Sequence, residues 1–271
     1  MPEVFEGVRE AADMSPRCGV HLSVVIPAYN EEKRIPETLV DVLRYLSRQG
    51  YRSEVLVVDD GSHDRTRDVV RAASERFHPA PASGPQRCEL IEYPDRKNRG
   101  KGYAVRTGMR AAHGRYRLFM DADNSTTIDH VEQFFPYFQE ERYDIVIGSR
   151  DVEGAQIAVH QAWVKEFAGN LGNVVVRMLV LPGIYDTQAG FKMFTAKCVD
   201  DIFPRLTIDR WGFDIEILAV ARHRGYRIKE APITWVNDPQ SLVTGRAYLE
   251  VLGEVLKIRK NLWRGVYGPA A

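Results

Sequence analysis

Short apolar runs alternate with helically spaced apolar positions along most of this chain. Leu22 to Ile26 in "HLSVVIPAYNEE" form a largely β-branched run that stops at Pro27, and "PETLVDVLRYLSRQG" follows with apolar residues at helical spacing before Gly50. "SEVLVVDDGSHDRTRDVVRAAS" repeats the order: Val55 to Val58 as a buried strand, an acidic turn at Asp59 and Asp60, then a helix. Two such strands separated by a helix predict a βαβ unit with a parallel sheet. "FHPAPASGPQR" reads as a surface loop and "CELIEYP" as a third strand. "GKGYAVRTGMRAAHG" predicts a helix, "YRLFMDAD" a fourth strand, Val131 to Phe138 part of another helix, and "YDIVIGSR" a fifth strand. The fold class is α/β: a mostly parallel, Rossmann-like sheet flanked by helices.

At 271 residues the chain is long enough for one principal domain with appendages. It is expected over residues 21–240, after a lead-in at 1–20 and before a C-terminal amphipathic helix at 241–271. Lys plus Arg and Asp plus Glu each count 37, so no global basic field points to a nucleic-acid partner. Cys18, Cys88 and Cys198 are far apart, which predicts isolated thiols in a reducing compartment. The first residues lack the apolar core of a signal peptide, and the most apolar stretch, "NVVVRMLVLPG", contains Arg177 and ends at Pro182 and Gly183. A chain on the cytosolic side, crossing no membrane, is the expectation; the oligomeric state is not legible.

The polar clusters "PAYNE", "VDDGS", "DADNS" and "GSR" all follow predicted strands, and open α/β sheets gather their chemistry beyond the carboxyl ends of strands. Together they describe a pocket. Asp64 and Asp129 fit helix caps or turns. Asp121 and Asp123, one residue apart, would repel unless solvated or bridged by a cation, and such oxygen ligands suit Mg²⁺ or Mn²⁺ shared with substrate phosphates. "NRGKGY" lacks the Ser or Thr and the earlier Gly of a P-loop, and "PAYNEEKR" is not the dinucleotide-binding glycine pattern. ATPase and dehydrogenase chemistry are therefore not indicated.

"SVVIPAYNEE", "VLVVDDGSHDRT", "NRGKGYAVRTG", "DADNS", "GSR", "DTQAGFKMF" and "RWGFDIEIL" occur in the order and approximate spacing of family 2 glycosyltransferases of the GT-A fold. Over residues 21 to 268 the chain most resembles the dolichyl-phosphate β-glucosyltransferases and next the dolichyl-phosphate mannosyltransferases. The resemblance implies an inverting transfer of a hexose from a nucleotide sugar, UDP-glucose before GDP-mannose, to a polyprenyl phosphate; transfer to a soluble hydroxyl acceptor and a non-catalytic nucleotide-sugar-binding domain are the alternative readings. It implies that Pro27, Tyr29, Glu31 and Asp59 line the nucleotide with Asp60 beside them. Lys101 and the backbone of Gly100 and Gly102 then flank the donor, while Asp121 and Asp123 hold the metal on its diphosphate. Ser125 stands where the mannosyl branch often has a Gln, so a third protein ligand is not implied. Asp186 and Asp214 are the candidate catalytic acids on the acceptor face. Arg150 and Lys165 resemble the cations for an acceptor phosphate.

Leu249, Leu252, Leu256 and Trp263 fall near one face of a helix that also carries Arg246, Lys257, Arg259, Lys260 and Arg264. A helix of this kind either packs on the sheet or lies in the headgroup layer of a membrane as a peripheral element.

Overall fold

The computed structural model describes residues 19–76, 84–93, 95–157, 176–236 and 245–270, with backbone only for 84–86, 157 and 245–249. Its strands are β1 (Leu22–Ala28), β2 (Arg52–Asp59), β3 (Gly84–Glu92), β4 (Tyr116–Met120), β5 (Ile145–Ser149), β6 (Gln156–Ile157), β7 (Phe191–Thr195), β8 (Ile228–Pro232) and β9 (Thr234–Trp235). The helices are α1 (Ile35–Leu46), α2 (Thr66–Arg76), α3 (Lys101–Ala111), α4 (Val131–Gln139), α5 (Ala196–Ile202), α6 (Phe213–His223) and α7 (Gly245–Trp263).

Seven strands form one sheet in the order β3-β2-β1-β4-β7-β5-β8, and β6 pairs with β9 beside it. β1 runs parallel to β2 and β4, β2 to β3, and β5 to β8, whereas β7 lies antiparallel between β4 and β5. Successive side chains on a strand point to opposite faces, and here they feed two separate cores. Val25, Leu56, Val58, Phe119 and Ile147 face α3 and α6; Val24, Ile26, Val57, Leu118 and Val146 face α1 and α4. Burial on both faces explains why the strands read as continuous apolar runs rather than as alternating ones. α1 follows the same logic: Ile35, Leu39, Val42 and Leu46 are its buried stripe, and Pro36 sits in the first turn, where its missing N–H costs nothing.

The parallel strands bring the loops after β1, β2, β4 and β5 to one edge. The reversed β7 contributes its amino end to that edge, where the Asp121 N–H donates to Gly190 O at 3.0 Å. Cys88 and Cys198 are buried free thiols, and burial pushes the Cys88 thiol up to about 11; Cys18 lies outside the described residues.

α7 resolves the choice between core packing and an exposed apolar face by doing both. Val251, Val255, Ile258 and Leu262 turn inward onto the α3/α6 core, while Leu252, Leu256 and Trp263 of the predicted stripe are exposed. The side chains of Leu249 and Arg246 lie outside the described residues.

Candidate active site

The loops after β1 and β2 are fastened to each other. Asn30 N–H donates to Ser62 Oγ at 2.9 Å, His63 N–H to Asn30 Oδ1 at 2.8 Å and Glu31 N–H to Thr66 Oγ1 at 2.7 Å. Asp64 accepts from the Thr66 and Glu32 N–H groups at 2.9 and 3.1 Å, a turn-closing role. Asn30 and Asn124, next to the two acidic loops, both have positive φ, which short amide side chains tolerate.

Asp59 ends β2 with a buried carboxylate that receives only long bonds, 3.3 and 3.2 Å, from the Ser62 N–H. Its neighbour is already satisfied: Asp60 accepts from the Arg99 and Gly100 N–H groups at 2.8 and 2.9 Å and so fixes the start of α3. Gly100 has φ +105°, and a Cβ there would fall 2.4 Å from Asp209 O. Gly102 is pressed against α6, where a Cβ would lie 2.6 Å from Phe213 Cβ. Both glycines let α3 begin tightly packed with Lys101 aimed inward. Pro27 is buried in β1, and Tyr29 stands half exposed beside His63.

Lys101 Nζ lies 2.6 Å from Asp121 Oδ1. Asp121 Oδ1 is buried and nevertheless has no well-directed hydrogen bond. Asp123 accepts from the Ser125 N–H at 3.0 Å, and its carboxyl is pushed up by burial and by the Asp121 charge. Glu31, gripped by Arg34 at 2.6 Å, is likewise pushed up by burial, with the charges of Asp123 and Asp121 adding to the effect. Gly190 makes room for this arrangement: a Cβ there would sit 2.2 Å from Asp121 Oδ2. Two mutually repelling carboxylates that share a single ammonium fit a hard divalent cation. Among the described residues no cluster of three or more His, Cys, Asp or Glu side chains is arranged to hold a metal. The pair would therefore share the ion with ligand oxygens and water.

On the other side, Asp186 is fully buried and clamped. Arg150 donates through Nε and Nη2 to its two oxygens at 2.8 Å each, and the Arg150 N–H adds a third bond at 3.0 Å. Burial pushes the Asp186 carboxyl up, but the Arg150 charge and hydrogen bonds win and hold it below the usual carboxylate range. Glu230 accepts from the Asp186 and Tyr185 N–H groups at 2.8 and 2.9 Å and from Ser149 Oγ at 2.9 Å, fixing the turn. The Arg150 guanidinium lies 5.2 Å from the Trp235 ring centroid, and among the described residues its Nη1 has no hydrogen-bond partner. Asp214, in the first turn of α6, lies under the site and accepts from the buried Lys192 at 2.5 Å. Lys165 lies outside the described residues.

The sequence profile of the family described as "Glycosyl transferase family 2" matches residues 23–200. The chain belongs to that family. As a family 2 glycosyltransferase it is similar to the dolichyl-phosphate beta-glucosyltransferase of Dictyostelium discoideum, 31% identical over 93% of this chain and 78% of the relative. The human protein of that name is 32% identical over 91% and 77% of the two chains, and that of Saccharomyces cerevisiae 30% over 92% and 77%. Among solved structures, glucosyl-3-phosphoglycerate synthase from Mycobacterium tuberculosis in complex with UDP superposes with a TM-score of 0.64 at 18% identity, covering 90% and 82% of the chains. The same enzyme with Mn²⁺, UDP-glucose and phosphoglyceric acid gives 0.61 at 17%, over 90% and 81%. These likenesses carry the fold: this family 2 glycosyltransferase has the GT-A architecture.

Within that frame the structure gathers Glu31, Lys101, Asp121, Asp123 and Asp214 at one place and Arg150 with Asp186 at another. Sequence reading passed over Lys192, Glu230 and Gly190. Lys192 had a visible signal, a lone charge inside the apolar run "GFKMF". Glu230 and Gly190 had none, because their importance depends on contacts across the fold.

Proposed function

We propose that this family 2 glycosyltransferase transfers glucose from UDP-glucose to a polyprenyl phosphate of the dolichyl type, with inversion at the sugar carbon. The names of the relatives support the donor and acceptor classes. The observation that carries the reading is the unequal treatment of the acids: Asp121 and Asp123 repel each other and share only the Lys101 ammonium, while Asp186 has its own Arg150 clamp.

Pro27, Tyr29, Glu31 and Asp59 border the nucleoside, with the weakly bonded Asp59 carboxylate free to accept from the base. Asp60 and the Gly100–Gly102 turn hold Lys101 where an ammonium meets the diphosphate. Asp121 and Asp123 would hold Mg²⁺ or Mn²⁺, which neutralises the charge that builds on the departing nucleoside diphosphate. Arg150, braced by Asp186 and Trp235, offers Nη1, which has no hydrogen-bond partner among the described residues, to the acceptor phosphate, joined in this reading by Lys165. A phosphate acceptor is already anionic near neutral pH and needs no base. The clamped Asp186 suits that acceptor better than a hydroxyl, which would require a carboxylate ready to take a proton.

The exposed apolar residues of α7 support a peripheral position on a membrane. Trp263 is 85% exposed and Leu256 more than half, and Val266 just past the helix is also exposed. Arg259, Lys260 and Arg264 are exposed around them, a combination that suits an anionic headgroup layer. No described helix is long and apolar enough to cross a bilayer. In this reading the enzyme works on the cytosolic face.

Thermal shifts with UDP-glucose, UDP-galactose, GDP-mannose and free UDP, each with Mn²⁺, test the donor assignment. The largest stabilisation is expected from UDP-glucose. Equal stabilisation by all of them, or a preference for GDP-mannose, contradicts it.

A further inference from the structure

Lys192 carries its ammonium into the middle of the sheet. It sits on β7 in register with Phe119 of β4 and Ile147 of β5, with no exposed surface. Its Nζ donates to Ala189 O and Asp214 Oδ1 at 2.5 Å each and lies 5.3 Å from the Phe119 ring centroid. Lys101 uses the same ring: its Nζ lies 6.0 Å from the Phe119 centroid and 5.9 Å from that of Phe213, and 2.6 Å from Asp121 Oδ1. The charges of Lys192 and Lys101 both act on Asp214, and those of Asp121 and Asp214 both act on Lys101. Lys192, Asp214, Lys101 and Asp121 thus form a row of alternating sign that runs from the core to the metal carboxylates.

The fold does not require this row. A buried ion pair is often replaced by apolar residues of similar volume with no loss of stability, whereas removing one partner is costly. Its position explains it better. In the absence of a divalent ion, Lys101 is the cation on Asp121 Oδ1, and an incoming metal needs that oxygen. Asp123 also acts on Lys101 but is itself one of the proposed cation ligands, so an ammonium with no anion apart from those two would hold the oxygen.

We propose that Lys192 and Asp214 are positioning residues: Lys192 fixes Asp214, and Asp214 gives Lys101 a second anionic partner, so that Lys101 yields Asp121 when a divalent cation arrives. Asp214 then acts on the reaction only through Lys101 and takes no proton from an acceptor. The inference rests on the reading of Asp121 and Asp123 as cation ligands.

Mn²⁺ binding to the full chain, read from the free-ion electron paramagnetic resonance signal without nucleotide, tests it. Lys192→Met combined with Asp214→Leu exchanges the pair for apolar side chains. The variant should bind Mn²⁺ roughly tenfold more weakly than wild type, within the range usual for coupled sites. Adding Lys101→Met removes the competing ammonium and should restore the affinity. If the double variant misfolds, Asp214→Asn keeps an acceptor for Lys192 and should shift binding in the same direction. Wild-type affinity in the folded double variant or in Asp214→Asn would overturn the proposal, as would failure of Lys101→Met to restore binding. A wild-type protein that binds no Mn²⁺ would instead bring down the cation reading, and this inference with it.

Discussion

The two sides of the proposed site, Asp121 with Asp123 as the proposed donor side and Asp186 with Arg150 as the proposed acceptor side, are both built around aspartates, and they treat them in opposite ways. Asp121 and Asp123 repel each other, Asp121 keeps a buried oxygen without a well-directed hydrogen bond, and Asp123 is pushed up by burial and by its neighbour. Asp186 is deeper, fully buried where those two are only partly so, yet three bonds from Arg150 hold it ionised. One side holds two repelling carboxylates against a single ammonium, which suits the divalent cation we propose there. The other has its charge paired before any substrate arrives, which suits the anchor for Arg150 that we propose better than a waiting base.

The comparison breaks most visibly on the donor side. Asp123→Asn is expected to lower kcat by about 10³, the scale for losing one transition-state charge stabiliser, with far-UV circular dichroism unchanged. Retained activity in that variant would mean that the two halves do not differ as described. Asp186→Asn should act through stability and acceptor binding instead. Taking one partner from a buried pair costs about 3 kcal/mol, read as a lowered urea midpoint. The KM for the acceptor should rise while UDP affinity holds. A collapse of kcat with KM unchanged would mark Asp186 as a base.

A smaller effect separates the same alternatives by pH. Because the folded Asp186 pKa is depressed, the stability from its pairing is present at neutral pH and is lost only as pH falls through that depressed value. Asp186 therefore supplies no acidic limb near neutrality. The limb in kcat/KM should follow the acceptor's own second phosphate ionisation, at about pH 6 for a phosphate monoester, and should persist in Asp186→Asn.

The sequence made five strands and the acidic turns that follow them legible because those features are local: an apolar run, a stop, an acidic turn. β7 was not assigned as a strand although "DTQAGFKMF" was read as a motif. Five residues cannot be told from a buried helix segment by period, and an antiparallel strand between β4 and β5 is defined by partners far away in the chain. The Arg150–Asp186 clamp was missed for the same reason. Both residues were singled out, but as separate groups with separate tasks, and only the fold brings residues 36 positions apart to 2.8 Å. α7 shows the limit from another side: helical spacing identified its exposed stripe, while the inward face of Val251, Val255, Ile258 and Leu262 depended on where α6 lies.

The acceptor decides the central claim. Incubating the protein with radiolabelled UDP-glucose, Mn²⁺ and either dolichyl phosphate or 3-phosphoglycerate, then partitioning label between organic and aqueous phases, measures it directly. Label moving into the organic phase with dolichyl phosphate, and none transferred to 3-phosphoglycerate, is the predicted result. Transfer only to the soluble hydroxyl acceptor would contradict the account.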